Sequence, residues 1–363
     1  MTTHLEPQQQ SSGLDERRME EFAGKLIDTF SGGVLTLMVD IGYRTGLFET
    51  LAQGPGTSGE LADRAGLQER YVRECLGSLV TGGIVEYDPD DGRYTLPAEH
   101  AACLTGGGSQ NMASLSEIVT LLAPHMNDTT RVFREGGGIP YEEFRPDFTS
   151  VMDAMSRGLY DGQLIDGILP LVDGLTDRLA TGCRVADVGC GTGHAVNVMA
   201  AAYPASTFVG YDISEEAVES GRSEAAASGL AHARFEVLDV VRLPAEPGFD
   251  VVFAFDSIHD QVDPAGVLAA VSAALRPDGL FVMMDTKSSS RLEKNIGNPL
   301  APMIYGVSVM HCMTVSLAHG GAGLGTAWGE ELARSMLADA GFTDVTTHDV
   351  PDDPMDMVYV CRR

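Results

Sequence analysis

The chain has 363 residues, 44% hydrophobic and 21% charged, with a formal net charge of −28. That length supports about two domains with separate cores, and the composition is that of a soluble globular protein. So acidic a surface repels phosphate, which argues against a nucleic-acid partner; with no apolar run near the ~18–20 residues of a membrane span and no apolar signal core, a cytoplasmic location without a membrane partner is expected.

Residues 1–18 are polar and rich in glutamine and serine, and are expected to form a disordered tail. In 19–103, Phe22, Leu26, Phe30, Val34, Leu35, Met38 and Ile41 give one or two amphipathic helices. Thr57 and Glu60 have capping-box spacing ahead of a short helix that Gly66 closes, and 68–80 forms the next helix. A strand at 82–87, a turn at 88–92 and a return strand from Arg93 complete a winged helix. As a DNA reader it would offer Arg70 and Arg73 to the major groove. Residues 20–100, however, hold six basic against fourteen acidic side chains, a net of −8, where a groove reader carries a basic face.

Residues 104–180 are expected to be a helical connector and substrate lid. Glycine-rich breaks at 106–108 and 136–138 bracket a helix at 113–123. A second helix at 148–159 carries Val151, Met152, Met155 and Leu159, and a third spans 163–179, where Pro170 kinks or restarts it. The six cysteines, Cys75, Cys103, Cys183, Cys190, Cys312 and Cys361, show no C-x-x-C pair and are expected as reduced thiols.

Residues 181–363 are organised around Cys183-Arg-Val-Ala-Asp-Val-Gly-Cys-Gly-Thr-Gly-His194, an apolar strand that turns through three glycines into a helix. Such a turn presents backbone N–H groups at the carboxyl edge of a sheet. Strand-like segments follow, ending at Asp212, at Asp239 and at Phe255-Asp256, and then at Asp285, with the strand–helix rhythm of a parallel sheet. A dinucleotide fingerprint would have its third glycine at 194; His194 stands there, and the glycine is Gly193.

On Asp187, Gly189, Gly191, Gly193, Asp212 and Asp239 the chain resembles the class I S-adenosylmethionine-dependent methyltransferases. The resemblance implies an α/β, Rossmann-like, mostly parallel sheet with a closing antiparallel strand pair at 342–350 and 357–361, preceded by a mainly helical winged-helix domain. It implies S-adenosyl-L-methionine as cofactor, S-adenosyl-L-homocysteine as its product, and cofactor contacts from those six residues with Cys190, Ile213, Val240, Phe255 and Asp256. The layout also resembles the small-molecule O-methyltransferases and an actinobacterial winged-helix methyltransferase group. In the former, the winged helix forms a homodimer interface and helps wall the substrate site.

His259, in Asp256-Ser-Ile-His-Asp-Gln261 past the fourth strand, is the candidate general base. It could instead be a structural residue capping that loop. His259-Asp260 matches the catalytic His-Asp pair of the O-methyltransferases, although the tryptophan usual after that pair is Gln261 here. Asp285 corresponds to an acid that orients the imidazole, and the second acid of that family has no counterpart. Phe148, Met152 and Met155 resemble that family's Phe/Met segment over cofactor and substrate, or are core packing. Met155, Tyr160, Met303, His311 and Trp328, with His259, are the expected acceptor contacts. No metal site is expected, because adjacent His311 and Cys312 point apart. Residues 286–299 suit a loop, 303–317 a buried helix, and 330–340 a helix behind a glycine-rich loop that lacks a phosphate-loop ending.

The expected function is methyl transfer to a small organic acceptor, at oxygen first, with nitrogen or carbon behind. The alternative is a winged-helix transcriptional regulator that senses S-adenosylmethionine or a related ligand. A nicotinamide enzyme is opposed by His194.

Overall fold

A computed structural model describes residues 13–107, 110–246, 248–351 and 353–363. They fall into two compact units, divided between Ala101 and Ala102. The first comprises α1 (Glu16–Arg44), α2 (Leu47–Ala52), α3 (Ser58–Ala65), α4 (Glu69–Thr81) and an antiparallel hairpin of β1 (Glu86–Asp88) and β2 (Arg93–Thr95). Its core is Phe48, Leu51, Leu61, Leu76 and Leu79. Both capping-box hydrogen bonds of Thr57 and Glu60 are present. The region expected as one or two helices is a single helix, capped by the Asp15 carboxylate on Arg18 N–H. Residues 16–18 are therefore helical and not a disordered tail, while 1–12 lie outside the described residues.

Two helical stretches, Glu16–Arg44 and Ala301–Ala318, are long and apolar enough by length and composition to cross a bilayer, contrary to the sequence expectation. The second is two helices within the second unit, with Ile304, Cys312, Thr314 and Val315 buried. The first is amphipathic, with Asp28 and Asp40 interrupting its apolar residues.

α5 (Ala98–Leu104) carries the chain into the second unit, followed by α6 (Glu117–Leu122), α7 (Met126–Glu135) and α8 (Asp147–Leu159). α7 was not anticipated because it is polar overall, with Met126, Val132 and Phe133 as its large apolar residues and Thr129 as its buried one. The helix expected over 163–179 is three pieces: a π-helix, Tyr160–Ile168, running on from α8; a 3-10 turn, Leu169–Leu171, around Pro170; and α9 (Leu175–Thr181).

The remainder is β3 (Arg184–Val188), α10 (His194–Ala202), β4 (Thr207–Asp212), α11 (Glu215–Ala227), β5 (Ala233–Val237), β6 (Phe249–Phe255), α12 (Pro264–Ala274), β7 (Leu275–Thr286), α13 (Leu292–Asn295), α14 (Ala301–Met310), α15 (Cys312–Ala318), α16 (Gly329–Asp339), β8 (Asp344–Asp349) and β9 (Asp356–Arg362). The seven strands pair in the order β5-β4-β3-β6-β7-β9-β8. The first five are mutually parallel, and β9 runs antiparallel to both its neighbours. Both faces of the sheet are buried, one with Leu164, Val185 and Met199, the other with Val188, Leu268 and Phe281. Two expectations shift: α13 interrupts the expected 286–299 loop, and the helix expected at 303–317 breaks at His311, where φ is −137° and ψ is −79°. The winding reverses between β3 and β6, and open α/β sheets bind ligands outside the carboxyl ends of such a pair.

Candidate active site

β3 delivers the chain into a loop whose three glycines, Gly189, Gly191 and Gly193, have φ of 71°, 54° and 74°. L side chains rarely adopt that region, so the glycines are required by conformation. The N–H groups of Gly189 and Cys190 donate to Tyr211 O at 2.8 and 2.9 Å, pinning the loop to β4. Asp212, the last residue of β4, accepts Gly191 N–H through one oxygen and Ser214 N–H through the other, each at 2.8 Å. A Cβ added to Gly191 would meet nothing within 4 Å, so the loop presents an open backbone face there.

Two carboxyls lie against this loop in excess of the donors that hold them. Asp187, 2% exposed, has an Oδ1 without a partner, and burial, with Asp212 second, pushes its carboxyl up to about 8. Burial also raises Asp212 despite its two backbone donors. Ile213 is exposed, Val240 and Phe255 are buried, and Asp239 caps a 3-10 turn by accepting Val241 N–H at 3.2 Å. A donor-starved, acid-lined edge with an open glycine face suits a ligand that brings cationic and hydroxyl groups.

Asp256, at the end of β6, has φ of 52°, the one positive value at a non-glycine among the described residues. Strain of this kind concentrates at functional sites. It opens the turn that carries His259, which is 2% exposed. His259 Nδ1 lies 2.9 Å from Asp285 Oδ1 and 3.6 Å from Asp256 Oδ1. Asp285 Oδ1 also accepts Trp328 Nε1–H at 3.1 Å and Thr286 N–H at 2.8 Å. Burial works against the charged imidazole, but Asp285 and then Asp256 outweigh it and hold His259 well above the usual histidine range.

Several sequence assignments shift on this geometry. Asp285 is the imidazole's partner, as the sequence suggested, while Asp260, pushed up by burial to about 7, accepts from Gln261 Nε2 at 3.4 Å instead of pairing with the ring. Trp328, expected as an acceptor contact, is buried and braces Asp285 through its Nε1–H. Asp256, anticipated for the cofactor alone, is the second acid beside the imidazole. Ligand-type atoms of Asp256, His259 and Asp285 all lie within 4.8 Å of one another, a grouping capable of holding a cation where none was anticipated. Hydrogen bonds engage His259 Nδ1 and Asp285 Oδ1, while Asp256 Oδ1 and Asp285 Oδ2 are buried without a hydrogen-bond partner.

On the lid side, Tyr141, Phe144 and Phe148 surround His311, at centroid distances of 6.0, 4.7 and 3.7 Å. Ile139 N–H donates to Thr314 Oγ1 at 2.9 Å, tying the start of this segment to α15. Met155 packs against the same cluster, and from α14 it is Val307 and Met310, not Met303, that do so. Tyr160 sits on the other side of the lid, 5.5 Å from the Phe255 ring, with its hydroxyl held up by burial and then by Asp187 and Asp256. That places Tyr160 at the glycine-loop edge rather than in the His311 cluster. Tyr141 and Phe144 were missed, although the 141, 144 and 148 spacing is an aromatic stripe at helical period.

Residues 179–341 match a family model described as a methyltransferase domain, and 33–106 match one described as an Rv2258c-like winged HTH domain. The chain carries a methyltransferase domain behind a winged helix-turn-helix domain. Over 115 residues the chain is 36% identical to a ubiquinone biosynthesis O-methyltransferase of Neisseria meningitidis, covering 31% of this chain and 47% of that relative. The chain thus spans about half the length of the curated relatives it matches. A crystal structure of a putative O-methyltransferase from Nostoc punctiforme superimposes with a TM-score of 0.72 at 20% identity, over 94% of this chain and 98% of that one. Human N-acetylserotonin methyltransferase in complex with SAM superimposes with a TM-score of 0.68 at 17% identity, over 97% and 99%. The fold is the Rossmann-like methyltransferase fold with a helical winged-helix region before it.

Proposed function

We propose that this protein transfers a methyl group from S-adenosyl-L-methionine to a small organic acceptor, at oxygen first, with His259 as general base. The observation that carries the cofactor half is the glycine-loop edge: Gly191 open, Asp212 at the strand end, and a buried Asp187 oxygen lacking a donor. The donor set fits the cofactor. Asp212 keeps free lone pairs for sugar hydroxyls, and the buried Asp187 and Asp256 carboxyls, whose ionisation burial opposes, would be drawn into their charged form by an ammonium and a sulfonium. Gly189, Cys190, Gly193, Ile213, Asp239, Val240 and Phe255 complete the cradle. When bound, the cofactor supplies the methyl group and a positively charged sulfur.

His259 does the rest. Nδ1–H donates to Asp285, which leaves Nε2 to take the proton from an acceptor hydroxyl as its oxygen becomes the methyl ether. Trp328 and Thr286 fix Asp285, so the ring plane is set before the acceptor arrives. Positioning supplies the remaining acceleration, on the order of several kcal/mol. Calorimetric titration with S-adenosylhomocysteine tests the cofactor half, and no heat at millimolar ligand would overturn it.

The acidic winged helix supports a second copy of this chain as its partner rather than DNA, with α1 as the contact. Met19, Phe22, Ile27, Phe30 and Val34 are all more than half exposed along it, an apolar surface of the kind that marks interaction sites. A sensing regulator would need affinity for DNA, and a gel shift at physiological salt that retards DNA would restore that alternative. Six free cysteines support a reducing, cytoplasmic setting.

A further inference from the structure

Asp256, His259 and Asp285 hold acceptor capacity that their hydrogen bonds do not use. Asp285 is fully buried, and while its Oδ1 takes Trp328 Nε1–H and Thr286 N–H, its Oδ2 has no partner. Asp256 Oδ1 is also buried without a hydrogen bond, and it stands 3.6 Å from His259 Nδ1, whose bond goes to Asp285 at 2.9 Å. Burial, then the charges of Asp256, Asp353 and Asp285, hold the Asp356 carboxyl well above the usual carboxylate range, so four carboxyls crowd one imidazole. Orphaned buried oxygens are costly unless positive charge meets them.

The spacing suits one small ion. Three atoms bound to a tetrahedral cation at about 2.1 Å stand roughly 3.4 Å apart. The two distances from Nδ1 bracket that value, and the three ligand-type atoms all lie within 4.8 Å of one another. Trp328 and Thr286 fix Asp285 from behind, as partners of a metal ligand do. The Asp256 side chain is 32% exposed against 3% for His259, so the grouping opens to solvent on the Asp256 side.

We infer that Asp256, His259 and Asp285 form a site for a zinc-like divalent cation, and that the ion switches off the base. One imidazole nitrogen with two carboxylate oxygens suits zinc or cobalt, whereas magnesium and calcium prefer larger shells of oxygen. The ion bonds to the Nδ1 lone pair. From a doubly protonated ring it displaces the Nδ1 proton to solvent; in a neutral ring that proton ends on Nε2. Either way Nε2 carries the ring's one proton and has no lone pair for the acceptor's. The binding half stands by itself, and the inhibitory half rests on the proposed methyl transfer.

The test titrates tag-free, full-length protein with Co²⁺ and follows visible absorption, with S-adenosylhomocysteine calorimetry on each protein in parallel. Wild type should take up one Co²⁺ per chain with a visible band. His259→Ala and Asp285→Asn should each weaken uptake more than about tenfold while still binding S-adenosylhomocysteine. No uptake by wild type overturns the inference, as does uptake unchanged in either variant. Failure of wild type to bind S-adenosylhomocysteine would instead sink the methyltransferase reading and leave the Co²⁺ result standing. Should the variants fail to fold, the nitrogen-15 signals of the wild-type His259 ring decide on adding Zn²⁺. A shifted Nδ1 with a protonated Nε2 supports the site and the inhibition; unmoved signals overturn the site, and an Nε2 without a proton overturns the inhibition.

Discussion

Thr192 Oγ1, inside the glycine loop, donates to Asp153 Oδ1 on α8 at 2.6 Å. α8, in the segment expected to form a substrate lid, is therefore fastened directly to the loop expected to cradle the cofactor. Arg157, one turn on, grips the same carboxylate at 2.9 Å and reaches Glu224 of α11 at 3.2 Å. His194 bridges to Glu224 at 2.7 Å and to Asp161 of the π-helix at 2.8 Å. The residue that argues against a dinucleotide at the third-glycine position is thus a strut between α10, α11 and the lid. Asp153→Ala should weaken S-adenosylhomocysteine about three- to tenfold, the worth of one or two net hydrogen bonds, as read by calorimetry. Unchanged affinity would mean the lid and loop are energetically separate.

Replacing the base should separate chemistry from binding. His259→Ala is expected to lower kcat by roughly 10²–10⁴ while S-adenosylhomocysteine affinity stays nearly constant. Asp285→Asn, which leaves His259 and Trp328 without their common carboxylate, should also lower kcat. Wild-type turnover in His259→Ala would remove His259 from the mechanism.

The pH profile should carry the mark of the two acids. His259 must be neutral to accept a proton, and burial notwithstanding, Asp285 and Asp256 hold its pKa well above the ordinary value. Turnover at saturating cofactor should therefore rise with pH through that raised value. Asp256→Asn removes one of the two carboxylates and should move the rising limb toward acid. A limb that stays in place in the variant would show that Asp256 does not set the base.

Asp187 should cost the fold stability that its function requires. Its carboxyl is pushed up by burial, then by Asp212, to about 8, against about 3.9 in an unfolded chain. The folded state thus binds the proton more tightly, so this group's contribution is fully present below about pH 4 and is lost as pH rises through 8. Asp187→Asn should match wild type in urea unfolding near pH 4 and exceed it by a few kcal/mol near pH 9, while binding S-adenosylhomocysteine less well. A stability difference independent of pH would contradict the buried, partnerless carboxyl.

The glycine loop and strand-end acids were legible in the sequence because a positive φ and an acid at a strand terminus each demand particular residue types at fixed spacing. The winged helix was legible from apolar period and the Thr57–Glu60 cap. What was not legible depends on long-range pairing: Trp328 bracing Asp285 across 43 residues, and Phe148 stacking on His311, leave no local periodic signal. The π-helix escaped because Tyr160, Leu164, Ile165 and Ile168 keep the apolar spacing of an ordinary helix.

Assembly is the remaining expectation open to a direct measurement. α1 packs its C-terminal part, around Asp40 and Gly42, while Phe22, Ile27 and Phe30 are each at least 60% exposed. If a second copy covers that stripe, placing charge on it should break the contact without touching the methyltransferase domain. The pair Phe22→Glu and Phe30→Glu should convert a dimer to a monomer in light scattering at micromolar concentration, with S-adenosylhomocysteine affinity retained. A wild type that scatters as a monomer would remove the dimer, and a double variant that still dimerises would move the interface off α1.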